Sequence, residues 1–198
     1  MTAAASVLQL KFPTPTARAL APAPKWELSE LTGRMTEISH GGLSVACWLL
    51  LDAQKNGEPC AWVTAVESTF FPPDLAKAGA DLDALPVIAV KSAAEGARAA
   101  SRLLRSGAFG LVVLDLGPCP GLVAALQGRL AALALKHDAA LVLLTEKTPD
   151  APSVGSMVSL RMQVKRQGFN VRLQALKDKR RGPGWALEEV VSGPAGLR

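Results

Sequence analysis

The sequence contains few of the residues that form metal sites, disulfide frameworks and aromatic stacking surfaces. It has 3 cysteines, 2 histidines and no tyrosine in 198 residues. Cys47, Cys60 and Cys119 form no CxxC pair, and neither His40 nor His137 has a ligand spacing such as HExxH. We therefore expect no metal site and no disulfide framework, and we expect each cysteine to be a small buried hydrophobic residue.

Long hydrophobic runs are absent as well. The longest wholly apolar stretches, such as VACWLLL, have about seven residues, whereas a helix that spans a bilayer needs about 20. The first residues, MTAAASVLQLKFP, lack a basic start followed by a long apolar region, which disfavours a secretory signal. The sequence predicts no membrane association and a cytoplasmic location, either free or associated with the nucleoid.

The composition predicts one folded domain preceded by an arm. Residues are 49% hydrophobic and 20% charged, which suffices for one substantial core in a chain of this length. Residues 1–24 alternate small residues with four prolines, which favour extended backbone. We therefore expect a flexible N-terminal arm over residues 1–24 and a single domain over residues 25–198.

From residue 25 onward, stretches of strand character alternate with stretches of helical character. RMTEIS, CAWVTAVE, PVIAV, LVVLDL and AALVLLTE are predicted strands, separated by the predicted helices LSVACWLLLDAQKNG, PPDLAKAGAD, SAAEGARAASRLLRSG and GLVAALQGRLAALALKHD. Ser92 and Glu95 have capping-box spacing, and Gly107 is a typical helix stop. The alternation predicts an α/β fold with a mainly parallel sheet between helices, and the segments around Gly168 add antiparallel edge strands.

The net charge of +5 is concentrated near the C-terminal end. The segment LRMQVKRQGFNVRLQALKDKRR contains one acid, Asp178, and eight basic residues: Arg161, Lys165, Arg166, Arg172, Lys177, Lys179, Arg180 and Arg181. Such a segment can bind nucleic-acid phosphates or an acidic protein surface, or it can be a solvated hairpin whose lysines protect an edge strand. Phe169 and Trp185 are the only aromatic residues nearby, so little material is available for stacking on bases.

The stretch TEISHGGLSVAC places a glycine turn between a strand and a helix, where a phosphate-binding loop would lie. Such a loop needs a lysine for the terminal phosphates and a Ser or Thr for magnesium, in the spacing GxxxxGK[ST]. The turn after His40 is too short and has no lysine. Asp115 and Glu67 end two predicted strands. With a complete phosphate-binding loop, Asp115 could hold a magnesium-bound water and Glu67 could activate a water. We therefore expect no ATPase activity, no cofactor and no catalytic residue.

Five blocks of the sequence resemble successive parts of the bacterial RecA recombinase core, in the same order and with similar spacing. They are GRMTEIS, DAQKNGEPCAWVTAVE, FPPDLAKAGADLDAL, LLRSGAFGLVVLDL and VRLQALKDKRRGP, and together they extend over about residues 26–190. Within this group the chain looks most similar to the RecA-like accessory proteins of the ImuA type, which are related to the SulA division inhibitors. The resemblance implies a RecA-like fold with a degenerate phosphate-binding loop.

The resemblance also assigns roles to positions. Glu67 matches the catalytic glutamate of RecA and Asp115 its magnesium-associated aspartate, which would both be relics here, and Glu146 replaces the glutamine that senses nucleotide. The two RecA loops that grip single-stranded DNA match GPCPG, residues 117–121, and KTPDAPSVG, residues 147–155. These loops are shorter in this chain and have one positive charge between them, so DNA gripping by them is not expected.

Lys177 and Lys179 match the pair of lysines that, in RecA, reaches the ATP of the neighbouring subunit. Residues two apart in a strand point to the same face. The resemblance therefore implies a non-catalytic accessory protein that binds RecA through Lys177, Lys179, Arg180 and Arg181, and that recruits an ImuB-type polymerase-like partner for translesion synthesis after DNA damage. The alternatives are a SulA-like inhibitor of cell division and a DNA-binding protein that uses Arg161, Lys165, Arg166 and Arg172.

Overall fold

The computed structural model describes residues 24–65, 70–118, 121–168 and 170–190. The helices are α1 (Leu28–Leu31), α2 (Leu43–Lys55), α3 (Pro72–Lys77), α4 (Ala93–Ser106) and α5 (Ala124–Lys136). The strands are β1 (Arg34–Ser39), β2 (Cys60–Ala65), β3 (Val87–Val90), β4 (Leu111–Asp115), β5 (Ala140–Thr145), β6 (Leu160–Gln167), β7 (Asn170–Asp178) and β8 (Ala186–Val190). The predicted arm, residues 1–24, lies outside the described residues except for Pro24.

The strands form one sheet in the order β3-β2-β4-β5-β1-β6-β7-β8. Neighbouring strands from β3 to β6 pair in parallel, whereas β7 pairs antiparallel with both β6 and β8. This arrangement confirms the predicted α/β fold with an antiparallel edge. No helix in the part of the chain that the structure describes is long and apolar enough to cross a membrane.

Two hydrophobic clusters lie on opposite faces of the sheet. One cluster contains residues of α1, α2 and α3, and the other contains residues of α4 and α5. Alternate residues of a strand contribute to different clusters, as Val113 and Leu114 of β4 do. Because helices cover both faces, every residue of β1, β4 and β5 is buried, which explains the continuous apolar runs in β4 and β5.

The β6–β8 part of the sheet is covered mainly on one face. Val171, Leu173 and Ala175 of β7 pack into the cluster on the α2 side, whereas Arg172 between them is exposed. A register shift follows Arg161, which pairs with Lys177 while the next residue pairs with Ala175. This irregularity is a β-bulge at the end of β7.

The helix ends follow the predicted signals in α4. Ser92 Oγ accepts a hydrogen bond from the Glu95 N–H, and Gly107 has the left-handed φ of 69° that terminates many helices. The Glu95 carboxylate accepts from the N–H of Lys91 rather than that of Ser92, so the reciprocal bond is displaced by one residue. The other three predicted helices are longer than the observed ones. Helix α2 ends at Lys55, α3 ends at Lys77 and α5 begins at Ala124.

Candidate functional site

The turn between β1 and α2 consists of His40, Gly41 and Gly42, and it lies close against the sheet. His40 has a φ of 53°, and its N–H donates a 2.7 Å hydrogen bond to the carbonyl of Thr145. A methyl group on Gly42 would lie 2.6 Å from Cγ2 of Ile38, so glycine is the residue that fits there. The turn is therefore short, bonded to β5 and without a lysine.

The Asp115 carboxylate lies at the same edge of the sheet as this turn. Asp115 is the last residue of β4, is 8% exposed, and accepts a 3.2 Å hydrogen bond from the N–H of Gly117. Gly117 in turn accepts a hydrogen bond from the N–H of Glu146, which follows β5. Glu67 lies outside the described residues.

A buried ion pair occupies the centre of the sheet. Glu37 of β1 lies opposite Arg161 of β6, and its Oε1 is 3.8 Å from the Arg161 Nε. The Glu37 carboxylate also accepts from Thr145 Oγ1 at 3.1 Å and from the Val154 N–H at 2.9 Å, while the Arg161 Nε donates to Ser39 Oγ at 2.8 Å. Both charges are thus hydrogen-bonded in a buried site, as such charges must be.

The Arg161 guanidinium also holds the loop between β5 and β6. It donates to the carbonyls of Thr148 and Ala151, and Lys147 Nζ donates to the carbonyl of Pro152. This loop contains residues 147–155, the segment for which the sequence resemblance predicted a match to a DNA-gripping loop of RecA. Arg161 is 5% exposed, so it does not lie on the accessible basic surface predicted for it. Its role as the ion-pair partner of Glu37 could not be seen in the sequence, because the sequence does not show that β1 and β6 are neighbouring strands.

Lys177 continues this row of charges onto β7. It lies opposite Arg161, so Glu37, Arg161 and Lys177 share one face of three adjacent strands. Burial lowers the pKa of Lys177, the positive charges of Lys179 and Arg161 lower it as well, and the Glu37 carboxylate opposes them. Lys179 is exposed and donates a 2.8 Å hydrogen bond to the carbonyl of Ser156. The two lysines are therefore close enough for their charges to interact.

Asp178 determines the conformation of the turn that follows β7. Its carboxylate is buried and accepts hydrogen bonds from Arg34 Nη2 at 2.7 Å, from the Arg180 N–H at 2.8 Å and from Trp185 Nε1 at 3.1 Å. Burial alone would raise the pKa of Asp178, but these hydrogen bonds and the Arg34 charge lower it below its usual value. Asp178, the one acid of the basic segment, therefore connects β1 to the turn after β7 through its hydrogen bonds.

Arg180 and Arg181 contact α1 and the turn after it rather than joining the two lysines. Arg181 Nη2 bonds both carboxylate oxygens of Glu30 at 2.9 and 3.0 Å, and Arg180 Nη2 donates to the carbonyl of Thr32 at 3.3 Å. The four predicted partner-binding residues therefore separate into two pairs with different surroundings.

The predicted nucleic-acid residues on β6 and β7 are exposed apart from Arg161. Arg172 forms a 3.1 Å ion pair with Glu188 of β8, and Arg166 Nε donates to the carbonyl of Gly168. Lys165 lies opposite Arg172 in register. The adjacent acid reduces the net positive charge of this surface.

Cys47 and Cys60 are the two cysteines among the residues that the structure describes, and both are free thiols. Burial raises the pKa of Cys60 to about 12 and that of Cys47, which is half-buried, to about 11, so both are neutral thiols at neutral pH. Cys119 lies outside the described residues. Within the described ranges, no cluster of three or more His, Cys, Asp or Glu side chains could hold a metal ion.

Similarity to known proteins is found in a segment of the chain and in its fold. No protein-family model matches. A segment of 87 residues, 42% of the chain, is 38% identical to the RecA protein of Chlorobaculum tepidum and 37% identical to that of Clostridium tetani. The chain spans about a quarter of the length of these curated relatives, 25% in both cases.

The solved structure of the RadB recombinase is similar to this chain over most of both molecules. Its TM-score is 0.61 with 16% sequence identity, over 82% of this chain and 89% of that one. The fold is therefore RecA-like, and the resemblance seen in the sequence blocks is supported at the level of RecA.

Proposed function

We propose that this protein is a non-catalytic RecA-like accessory protein of the DNA-damage response. It would bind a RecA protomer or filament end and recruit an ImuB-type polymerase-like partner to promote translesion synthesis. The RecA-like fold and the 87-residue segment similar to RecA support a role in DNA repair or recombination. The specific role as an adaptor is our proposal.

The observation that carries this proposal is the short turn between β1 and α2. A phosphate-binding loop surrounds phosphates with inward-pointing N–H groups and a lysine. Here the His40 N–H donates to the carbonyl of Thr145, and the side chains of Ile38 and Leu144 leave no room for a side chain at Gly42. A RecA-like fold with such a turn is suited to docking onto a nucleotide-bound partner without turning over nucleotide itself.

Lys177 and Lys179 supply the contact that we propose for RecA. Their charges interact, and the positive charge of Lys179 is one cause of the lowered pKa of Lys177. An acidic group from a partner, such as the phosphates of a RecA-bound nucleotide, would relieve this repulsion. The Arg181 side chain contacts α1 and the Arg180 side chain contacts the turn after it, so these two residues would support the turn instead.

Binding to RecA from the same organism tests this function directly. Size exclusion and pull-down of RecA filaments on single-stranded DNA would be performed with and without a non-hydrolysable ATP analogue. We expect the analogue to strengthen binding. The double variant Lys177→Ala/Lys179→Ala should weaken binding about tenfold or more, because a hydrogen bond to a charged group contributes about 1.5–3 kcal/mol. Lys55→Ala/Lys77→Ala, which removes two exposed lysines on α2 and α3, is the matched control.

The outcomes test the Lys177/Lys179 contact surface and the adaptor role separately. Unchanged RecA binding by Lys177→Ala/Lys179→Ala would refute this contact surface. Absence of RecA binding in every condition would refute the adaptor, and co-precipitation would then show whether the target is the polymerase-like partner alone or the tubulin-like division protein bound by SulA-like inhibitors.

A further inference from the structure

The helix layer formed by α4 and α5 has a basic surface that is separate from the C-terminal strands. Five exposed basic residues lie on these two helices: Arg98, Arg102 and Arg105 on α4, and Arg129 and Lys136 on α5. We call this set the α4–α5 basic surface. It is distinct from the basic segment of residues 160–181, because its residues lie on two helices and not on the C-terminal strands.

The spacing places these residues on the outer side of the layer. Arg98, Arg102 and Arg105 follow the i, i+4, i+7 pattern of one helix face, while Ala97, Ala100 and Leu104 face the core. With a rise of 1.5 Å per residue, the three arginines extend over about 10 Å of helix.

The second helix extends the basic surface sideways. Arg129 and Lys136 are also seven residues apart and exposed, so they extend over about the same 10 Å. The two helices pack against each other, and Leu103 of α4 and Leu133 of α5 contact the same hydrophobic cluster. Both helices return from the carboxyl edge of the parallel sheet, so they run in the same direction. The five positive charges therefore form two adjacent rows.

These charges have no acidic partner in the residues that the structure describes. None of the five forms an ion pair there. The one acid of α4, Glu95, accepts the Lys91 N–H, and Asp138, which follows α5, lies beside Gly33. By contrast, Arg161, Arg172 and Arg181 are all paired with carboxylates within the chain.

We propose that the α4–α5 basic surface binds the phosphate backbone of duplex DNA. Duplex DNA carries about one charge per 1.7 Å of axis, so about six phosphate charges fall within a 10 Å stretch. Four of the five residues are arginines, whose planar guanidinium bonds phosphate oxygens in pairs.

The same surface has features that favour backbone contact over base recognition. Neither α4 nor α5 contains an aromatic residue, so bases have no ring on which to stack. The binding is therefore electrostatic and independent of sequence. This role is additional to RecA binding and does not depend on it.

Fluorescence anisotropy with a duplex of about 20 base pairs, without RecA and over a range of salt concentrations, tests the proposal. Five phosphate contacts predict that log K falls against log salt with a slope of about −4.5. The variant Arg98→Gln/Arg102→Gln/Arg105→Gln should reduce the magnitude of the slope by about 3 and weaken binding at least tenfold at low salt. The second variant, Arg129→Gln/Lys136→Gln, should reduce the magnitude of the salt slope by about 2.

The matched control removes the same number of charges from the C-terminal strands. Lys165→Gln/Arg166→Gln/Arg172→Gln should retain the wild-type slope. Absence of duplex binding by the wild type, a preference for single strands, or a larger loss in this control than in the α4 variant would each overturn the proposal. Loss of RecA binding with unchanged DNA binding in the α4 variant would also overturn it, because the surface would then be a protein-docking site.

Discussion

Arg161 and Glu37 lie opposite each other on adjacent parallel strands, and their side chains form a buried ion pair at 3.8 Å. The Arg161 guanidinium reaches from this pair to the carbonyls of Thr148 and Ala151, and Glu37 accepts the N–H of Val154. The pair therefore connects the central strand to the loop of residues 147–155. In this protein the loop is fixed to the sheet by side-chain hydrogen bonds.

Replacing Arg161 with alanine should destabilise the fold strongly. The substitution leaves the Glu37 carboxylate buried without its charge partner, and breaking a buried pair in this way costs about 3–5 kcal/mol. The free energy of unfolding from urea denaturation measures this loss. Hydrogen exchange should also show faster exchange at the Val154 N–H.

Arg172→Ala is the matched control, because it removes an arginine from an exposed ion pair. It should lower the free energy of unfolding by at most about 1 kcal/mol. Equal losses in the two variants would contradict the buried role of Arg161. The double variant Glu37→Gln/Arg161→Met should recover part of the stability, since no unpaired charge then remains.

Gly42→Ala should destabilise the protein by about 1–3 kcal/mol, as overpacking of a filled site usually does. The new methyl group would lie 2.6 Å from Ile38 Cγ2 and 3.2 Å from Leu144 Cδ2, so these side chains or the turn itself would have to shift. Thermal or urea unfolding measures the change.

Gly128→Ala provides the opposite case. Nothing lies within 4 Å of a methyl group at Gly128, which is inside α5. Alanine should therefore stabilise the helix by about 0.5–1 kcal/mol.

The Gly42 prediction has a clear contrary outcome. If Gly42→Ala stabilised the protein, the β1–α2 turn would be looser than the distances around it indicate, and a longer loop could be accommodated there.

The elements of the fold were predictable because their signals are local. Ser92, Glu95 and Gly107 delimit α4, and continuous apolar runs identify β4 and β5 as strands covered on both faces. The buried charges were not predictable in the same way. Glu37 and Arg161 are separated by more than half of the chain, and their pairing depends on β1 and β6 being neighbours. The sequence pattern alone placed Arg161 with the exposed basic residues.

The α4–α5 basic surface was missed for a related reason. Its charges are distributed over two helices, and neither helix contains a run of basic residues. Arg98, Arg102 and Arg105 have helical spacing that could have been noticed in SAAEGARAASRLLRSG. The contribution of Arg129 and Lys136 becomes visible only when α4 and α5 are packed side by side.

Asp178→Asn should change the acid sensitivity of the protein. The pKa of Asp178 is lowered in the folded state by its hydrogen bonds and by Arg34, so its ionised form stabilises the fold. This contribution is fully present above the unfolded pKa of 3.8, decreases as the pH falls below it, and is lost once the pH passes below the folded pKa. The free energy of unfolding of the wild type should therefore fall more steeply than that of the variant below pH 3.8. Parallel pH profiles would contradict this account.

Lys177→Met should leave the fold at least as stable at neutral pH while weakening RecA binding. Burial and the Lys179 charge lower the pKa of Lys177, so folding disfavours its charged form. Replacement of a partly buried charge by an apolar side chain of similar length removes this cost. As the pH rises through the lowered pKa toward 10.5, the wild type should gain stability relative to the variant, because the unfolded state then binds more protons. Urea unfolding and RecA pull-down on the same samples measure both properties. A loss of more than about 1 kcal/mol in the variant would instead show that Lys177 is a structural residue, because most surface substitutions remain within about 0.5 kcal/mol.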